Sequence, residues 1–350
     1  MSTPTRPQAP EESPAAARLP QRVRTSLSGR NLQSLGLLPV IVVVFIVGSL
    51  LSPAFLTPNN IFNNILAFSA ALGILVIAET IILIGGYFDL SLQSTVGFSM
   101  VFCMFLTTAP ETGKPGLGLP LGVSVLVTVA VVILIGFFNG IVISMLKLNA
   151  FIVTLAVLIL LQGLTLGISN GQTYTTVPSW VLFLGTGDIL GIPVQAVVFV
   201  GSFAIAAVFM RLVPTGRAIY ALGGNEMAAR AAGIRTRRLA IGLFVFGALM
   251  AMLAGVLLLA QVASAPPNLG NNIIFTVFAA AVLGGIDLGG GRGSVIGAAL
   301  GVLLLATIQN ILTLAAVPSF WINAAYGAVI LVALILGRLS LQRSGRHAGA

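Results

Sequence analysis

Ten apolar runs divide the sequence from residue 35 onward, at 35–51, 61–84, 91–107, 119–146, 150–168, 194–213, 239–260, 273–283, 294–314 and 321–336. Several of them, 239–260 included, carry no charged side chain. A bilayer offers the backbone no water, so a crossing segment must satisfy its own peptide groups, and a helix does this within one segment. The fold class that follows is all-α, a polytopic membrane protein of about ten transmembrane helices. Composition agrees, because 57% of residues are hydrophobic and only 7% charged, too little polar surface to cover a water-soluble chain of 350 residues. The 40 glycines suit helices packed backbone to backbone.

A full crossing takes about 20 residues, so the runs 91–107 and 273–283 are expected to be short or broken. Irregular backbone at membrane depth is tolerated only inside protein or along a water-filled cavity, which makes these two runs markers of a pathway. Lys and Arg collect in cytoplasmic loops. With the N-terminus inside, ten crossings put every Lys and Arg on the cytoplasmic side except Lys114, which is accompanied by Glu111. Both termini are therefore expected in the cytoplasm. Residues 1–30, with Pro, Ser, Ala and five Arg but no apolar periodicity, read as a disordered basic tail. Residues 31–338 form the transmembrane domain, and 339–350 a second cytoplasmic tail.

Other readings fall away on the same grounds. The run 35–51 is long for a signal-peptide core and no small-residue cleavage site follows it. The net charge of +9, which would suggest nucleic acid in a soluble protein, is accounted for by topology, so no nucleic-acid partner is expected. Cys103 is the only cysteine and reads as a packed thiol, and His347 sits in the basic tail. No metal site and no catalytic residue is expected. The sequence has no G-x-x-x-x-G-K-[ST] phosphate loop, so any ATP would be used by another chain. Outer loops are short, the longest being 169–193, so an external receptor would also be a separate protein.

Residues 211–238, RLVPTGRAIYALGGNEMAARAAGIRTRR, hold six of the seventeen Lys and Arg. Flanked by apolar runs, this stretch must lie in water beside the membrane. Residues 225–230 read as a short helix. Asn225 is its N-cap, Glu226 lies in the first turn where the dipole favours an anion, and Gly233 is placed to end it with positive φ. So short a helix does not persist alone, and it must pack on this protein's inner surface or on a partner. An ordinary basic loop explains the arginines, but not an entry through Gly223 and Gly224 into a helix built on Ala228, Ala229 and Arg230.

Three acidic residues lie near or within apolar runs. Glu79 is inside one, where a charge costs about 2.5–3.5 kcal/mol on insertion scales. It reads as a polar anchor, with a substrate or proton role as the alternative. Asp89 and Asp287 each follow a Gly-Gly pair, Gly85 and Gly86 in the first case, and each precedes another apolar run. Capping of free backbone N–H groups is as economical as a functional role for both. Their shared L-x-G-G…D-L pattern hints at an internal repeat.

Four stretches resemble one family in order along the chain. GRAIYALGGNEMAARAAGI, LIGGYFDLSLQSTVG, AFIVTLAVLILLQGLTLGISNGQTY and VLGGIDLGGGRGSVIGAALGVLLLATIQNIL are similar to segments of bacterial ABC importer permeases of the ribose, xylose and galactose type. The resemblance spans about residues 35–337. It departs at Tyr87 and Phe88, which lengthen the first acidic segment by one residue, and at Asp287, where uncharged residues are frequent. It implies a bacterial inner-membrane permease that imports a monosaccharide or polyol by alternating access and performs no chemistry itself. Implied partners are an ABC ATPase, which uses ATP and Mg, a periplasmic or lipid-anchored sugar-binding protein and a second permease copy. Residues 214–238 would be the cytoplasmic coupling loop that seats in the ATPase. A sugar path needs weak polar groups and aromatic walls, which nominates Asn63, Asn64, Phe68, Phe88, Ser91, Gln93, Gln162, Gln309 and Asn310; buried amides also commonly serve as interhelical contacts. The competing readings are a proton-coupled secondary transporter that uses Glu79 and Asp89, and a non-transporting scaffold.

Overall fold

The computed structural model describes residues 37–318 together with 321, 322, 324, 327, 328 and 331. The two expected tails, with His347, and most of the tenth run lie outside the described residues. The chain is mostly helical. α1 spans Leu38–Leu51; a π-helical segment, Asn60–Ala67, runs into α2, Ser69–Ile84; α3 is Ser91–Thr107, α4 Leu121–Ser144 and α5 Ala150–Ser169. Then come α6, Ser179–Thr186, a hairpin of β1, Asp188–Ile189, and β2, Ile192–Pro193, and α7, Val194–Leu212. α8 is Pro214–Gly224, α9 Glu226–Ala231, α10 Thr236–Val262, α11 Ile273–Leu283 and α12 Val295–Leu314.

Among the described residues, six helical stretches are long and apolar enough to cross a membrane: Asn60–Ile84, α4, α5, α7, α10 and α12. α1, α3 and α11 are apolar but shorter. α3 and α11 cover the two runs expected to be short. At 1.5 Å per residue α11 is about 16 Å long, roughly half of a ~30 Å hydrocarbon layer. The loop 169–193 contains α6 and the hairpin.

Asn60–Ile84 is the central element. Of its most apolar stretch, 83% is buried, against 22% for α4 and 28% for α5. Its α2 part has small residues, Ala70, Ala71 and Ala78, among Ile74, Leu75, Ile77 and Ile81, and it packs with residues of α7, α10, α11 and α12 in one apolar core. α4 lies against α10 through Gly136 and Gly140, where a Cβ would come 2.6 Å from Phe244 O and 2.7 Å from Ile241 Cα. Small residues four apart let the two backbones approach. At one end, Tyr174 and Ala265 exchange backbone hydrogen bonds of 3.1 and 2.8 Å, and Lys114 Nζ donates to Thr173 O at 2.7 Å. The basic stretch, the α4–α5 turn and the loop with Arg292 gather at the other end, around residues 85–90.

Candidate coupling site and polar interior

The basic stretch folds into two helices where one was expected. Pro214 opens α8 at a position whose N–H has no helical partner in any case. Gly223 and Gly224 are the last turn of this helix, so they are not a loop entry. Asn225 is extended at φ −163° and its Oδ1 accepts from Ala228 N at 3.0 Å, which starts α9. α9 ends in a Schellman turn: Gly233, at φ +84°, donates to Arg230 O at 3.0 Å and Ile234 N to Ala229 O at 3.1 Å. Ala229 is its one buried side chain, and Met227 is 81% exposed. Arg230 donates to Glu226 Oε1 at 2.6 Å, and Thr236 Oγ1 donates to the same oxygen at 3.2 Å. Both partners of the ion pair are about half exposed, so it contributes at most about 1 kcal/mol. Its effect is to hold α9 against the start of α10.

Three Gly-Gly pairs from distant parts of the chain meet beside α9. A Cβ on Gly223 would overlap Ile84 O and stand 2.6 Å from Gly291 N; one on Gly290 would stand 2.7 Å from Gly86 Cα; one on Gly291 would stand 2.6 Å from Gly224 Cα. Gly291 N donates to Ile84 O at 2.8 Å. The ends of α2 and α8 and the loop before α12 therefore touch main chain to main chain. Tyr87 sits at the same junction: burial pushes its phenol up, Glu226 adds to this and Arg230 opposes it. Met227, Gly290, Gly291 and Thr236 were not singled out from sequence. Each glycine pair is visible there, but nothing local says that the pairs meet.

The turn after α2 leads inward. Asp89 is buried, and its Oδ1 accepts from Ser91 N at 2.9 Å and Ser91 Oγ at 2.5 Å. Asp89 N donates to Glu79 Oε1 at 3.4 Å, Leu90 N to Thr154 Oγ1 at 3.2 Å, and Asn139 Nδ2 to Ser91 Oγ at 2.9 Å. One polar chain thus joins α2, α3, α4 and α5. Glu79 has no exposed surface. Asp287, by contrast, is exposed, and its Oδ1 accepts from Gly289 N at 2.9 Å.

The pathway candidates fall into separate groups. Asn63, Asn64 and Phe68 lie on the exposed side of the π-helical segment, and Gln309 is exposed on α12. Asn310 turns inward to exchange hydrogen bonds of 2.8 and 2.9 Å with buried Asn60, which also accepts from Asn64 at 2.9 Å. Gln93 is buried and accepts from Ile274 N at 3.4 Å, satisfying an unpaired donor where α11 begins. Gln162 donates to Asn271 Oδ1 at 3.5 Å. Ser91 belongs to the Asp89 turn, and Phe88 lies against Phe278 at 5.9 Å between centroids. Asn60 and Asn139 join these networks although neither was nominated; an asparagine at helical spacing from other asparagines, 59, 60, 63 and 64, was the available signal for the first.

The probable ABC transporter permease protein YphD of Escherichia coli (strain K12) is 34% identical over 331 residues, 94% of this chain and 97% of that protein. The ribose import permease protein RbsC of Bacillus subtilis (strain 168) is 34% identical over 309 residues, 88% and 93% of the two chains. The L-arabinose ABC transporter permease protein AraH of Azospirillum brasilense is 33% identical over 348 residues, 99% of each. No solved structure matches the chain. These relatives bear out the resemblance to sugar-type ABC importer permeases carried by the four motifs. The description "Branched-chain amino acid transport system / permease component" matches residues 61–337, and the chain belongs to that family.

Proposed function

We propose that this chain is the membrane-spanning permease subunit of an ATP-driven bacterial importer for a monosaccharide, a ribose-like pentose or a hexose, or for a polyol. It works by alternating access in the inner membrane, as one of two permease copies, with separate ATPase and binding-protein subunits; ATP and Mg are used by the ATPase. Ten spans with both termini cytoplasmic place the arginine-rich end inside. The observation that carries this reading is the exposed helix α9, joined through the glycine junction to the ends of α2 and α12. A motor that grips α9 moves these backbones with it, because no flexible side chain lies between them. The names of the relatives, which include ribose, arabinose and xylose permeases, support a sugar as cargo.

Reconstitution of the chain in liposomes with its ATPase and binding protein tests the reading. Replacing Glu226 and Arg230 together with alanine should leave ATP hydrolysis running while uptake falls. Met227→Asp, which puts a charge on the exposed tip of α9, should weaken capture of the ATPase about tenfold or more, ~1.4 kcal/mol. Normal uptake by both variants would remove α9 from the mechanism. A second reading, proton-coupled transport through Glu79 and Asp89, rests on their buried contact. Solute flux driven by a pH gradient without nucleotide would favour it.

A further inference from the structure

The polar chain through α2, α3 and α4 ends in bare oxygens. Among the described residues three buried side-chain oxygens have no hydrogen-bond partner: Glu79 Oε2, Thr80 Oγ1 and Asn139 Oδ1. Two of these end the chain that runs Glu79, Asp89, Ser91, Asn139. Within it Asp89 N donates to Glu79, Ser91 N and Oγ to Asp89, and Asn139 Nδ2 to Ser91. Glu79 Oε2 and Asn139 Oδ1 remain as acceptors without donors.

The charges are as unbalanced as the hydrogen bonds. Every described arginine is exposed, so no guanidinium faces the pair, and Lys114 and Lys147 lie in loops outside it. α4, α5, α11 and α12 contain no ionisable side chain, and the one in α3 is Cys103. Tyr220 of α8 donates its hydroxyl to Gly293 O, and Tyr87 faces Glu226 and Arg230. Two full negative charges sealed in an apolar core without a counter-ion are not tolerated; one of them is neutralised. The hydrogen bonds tell the two apart. Asp89 receives two at a single oxygen, one of them short, the setting of an ion. Glu79 receives one long bond and leaves its second oxygen bare.

We propose that the Glu79 and Asp89 pair binds one proton, carried on Glu79 Oε2, and that this neutralisation lets the turn after α2 stay sealed against α3 and α4. The site takes a proton from water and holds it as a structural ligand, with Asp89 ionised beside it. This assignment does not depend on which solute is carried.

Infrared spectroscopy of the full chain, in a maltoside detergent that has no carbonyl, decides it. At neutral pH the other carboxylates lie outside the apolar runs, so the wild-type protein should show one carboxylic-acid C=O stretch, shifted by deuterium exchange and absent from Glu79→Gln. Absence of that stretch from the wild type overturns the proposal, whether or not the variants fold. Glu79→Gln, a neutral isostere with its own donor, should keep the wild-type melting temperature, whereas Glu79→Ala should lower it. A Glu79→Gln protein that fails to fold, or a wild type that is stabilised by sodium over choline while Glu79→Gln is not, would replace the proton with a requirement for charge or for a metal cation.

Discussion

The turn that leaves α2 and the turn that leaves α11 have the same backbone. Gly86 and Gly285 stand at φ +85° and +82°; Gly86 N donates to Leu83 O at 2.8 Å and Tyr87 N to Ile82 O at 3.1 Å, while Gly285 N donates to Val282 O at 2.9 Å and Ile286 N to Ala281 O at 3.1 Å. Each is a Schellman turn followed by an aspartate whose Oδ1 accepts from the N–H two residues on, at 2.9 Å in both cases. Their surroundings differ. Asp89 is sealed against Glu79 and Ser91, and Asp287 faces outward. Local sequence therefore fixes the shape of the turn, and its depth in the helix packing fixes the chemistry of the acid it presents. The L-x-G-G…D-L repeat is a repeat of backbone, not of role.

The largest test breaks the point at which the two turns meet. Gly223 separates them: its missing Cβ leaves room for Ile84 O on one side and Gly291 N on the other. Gly223→Ala forces α8 away from both, and overpacking of this kind costs about 1–3 kcal/mol or more. Both neighbours are main chain and cannot rotate aside. The variant should melt well below the wild type, or fold with a loosened α8, and on the proposed function uptake should fall. A melting temperature and uptake equal to wild type would show that the two turns are not joined through this glycine.

The second test separates the turns by their acids. Asp89→Ala strands Ser91 N and Ser91 Oγ in a dry interior and should cost about 1–3 kcal/mol. Asp287→Ala loses one exposed bond to Gly289 N and should stay within about 0.5 kcal/mol. Thermal unfolding of both in detergent checks this, and equal losses would mean that depth does not decide the matter.

How much of this was legible follows from where the information sits. The apolar runs report the solvent directly, so α3 and α11 carry the bounds 91–107 and 273–283 that hydropathy gave. Asn225 and Gly233 are local signals and act locally, as cap and terminator of α9. α8 was hidden because GRAIYALGG is too polar and glycine-rich to read as a helix, and it is held by burial of Gly216, Ile219 and Leu222. The glycine junction and the Asn139 to Ser91 bond join residues scores of positions apart, and no local pattern encodes their meeting.

The smallest test holds backbone strain constant and changes only the neighbour. Gly86→Ala and Gly285→Ala both place a Cβ at positive φ, which costs an L-residue about 1–2 kcal/mol. At Gly285 nothing lies within 4 Å of the new carbon, so strain is the whole penalty. At Gly86 the Cβ would also stand 3.3 Å from Gly223 Cα, a close contact with main chain that must give by a few tenths of an ångström. Gly86→Ala should therefore unfold at a lower temperature than Gly285→Ala by a margin of about 0.5–1 kcal/mol, as expected for slight overpacking. In uptake the two should differ more than in stability, because only Gly86 lies on the contact with α8. If the two variants match in both measurements, the neighbour at Gly86 gives way freely, and the junction is a place of close approach that transmits nothing.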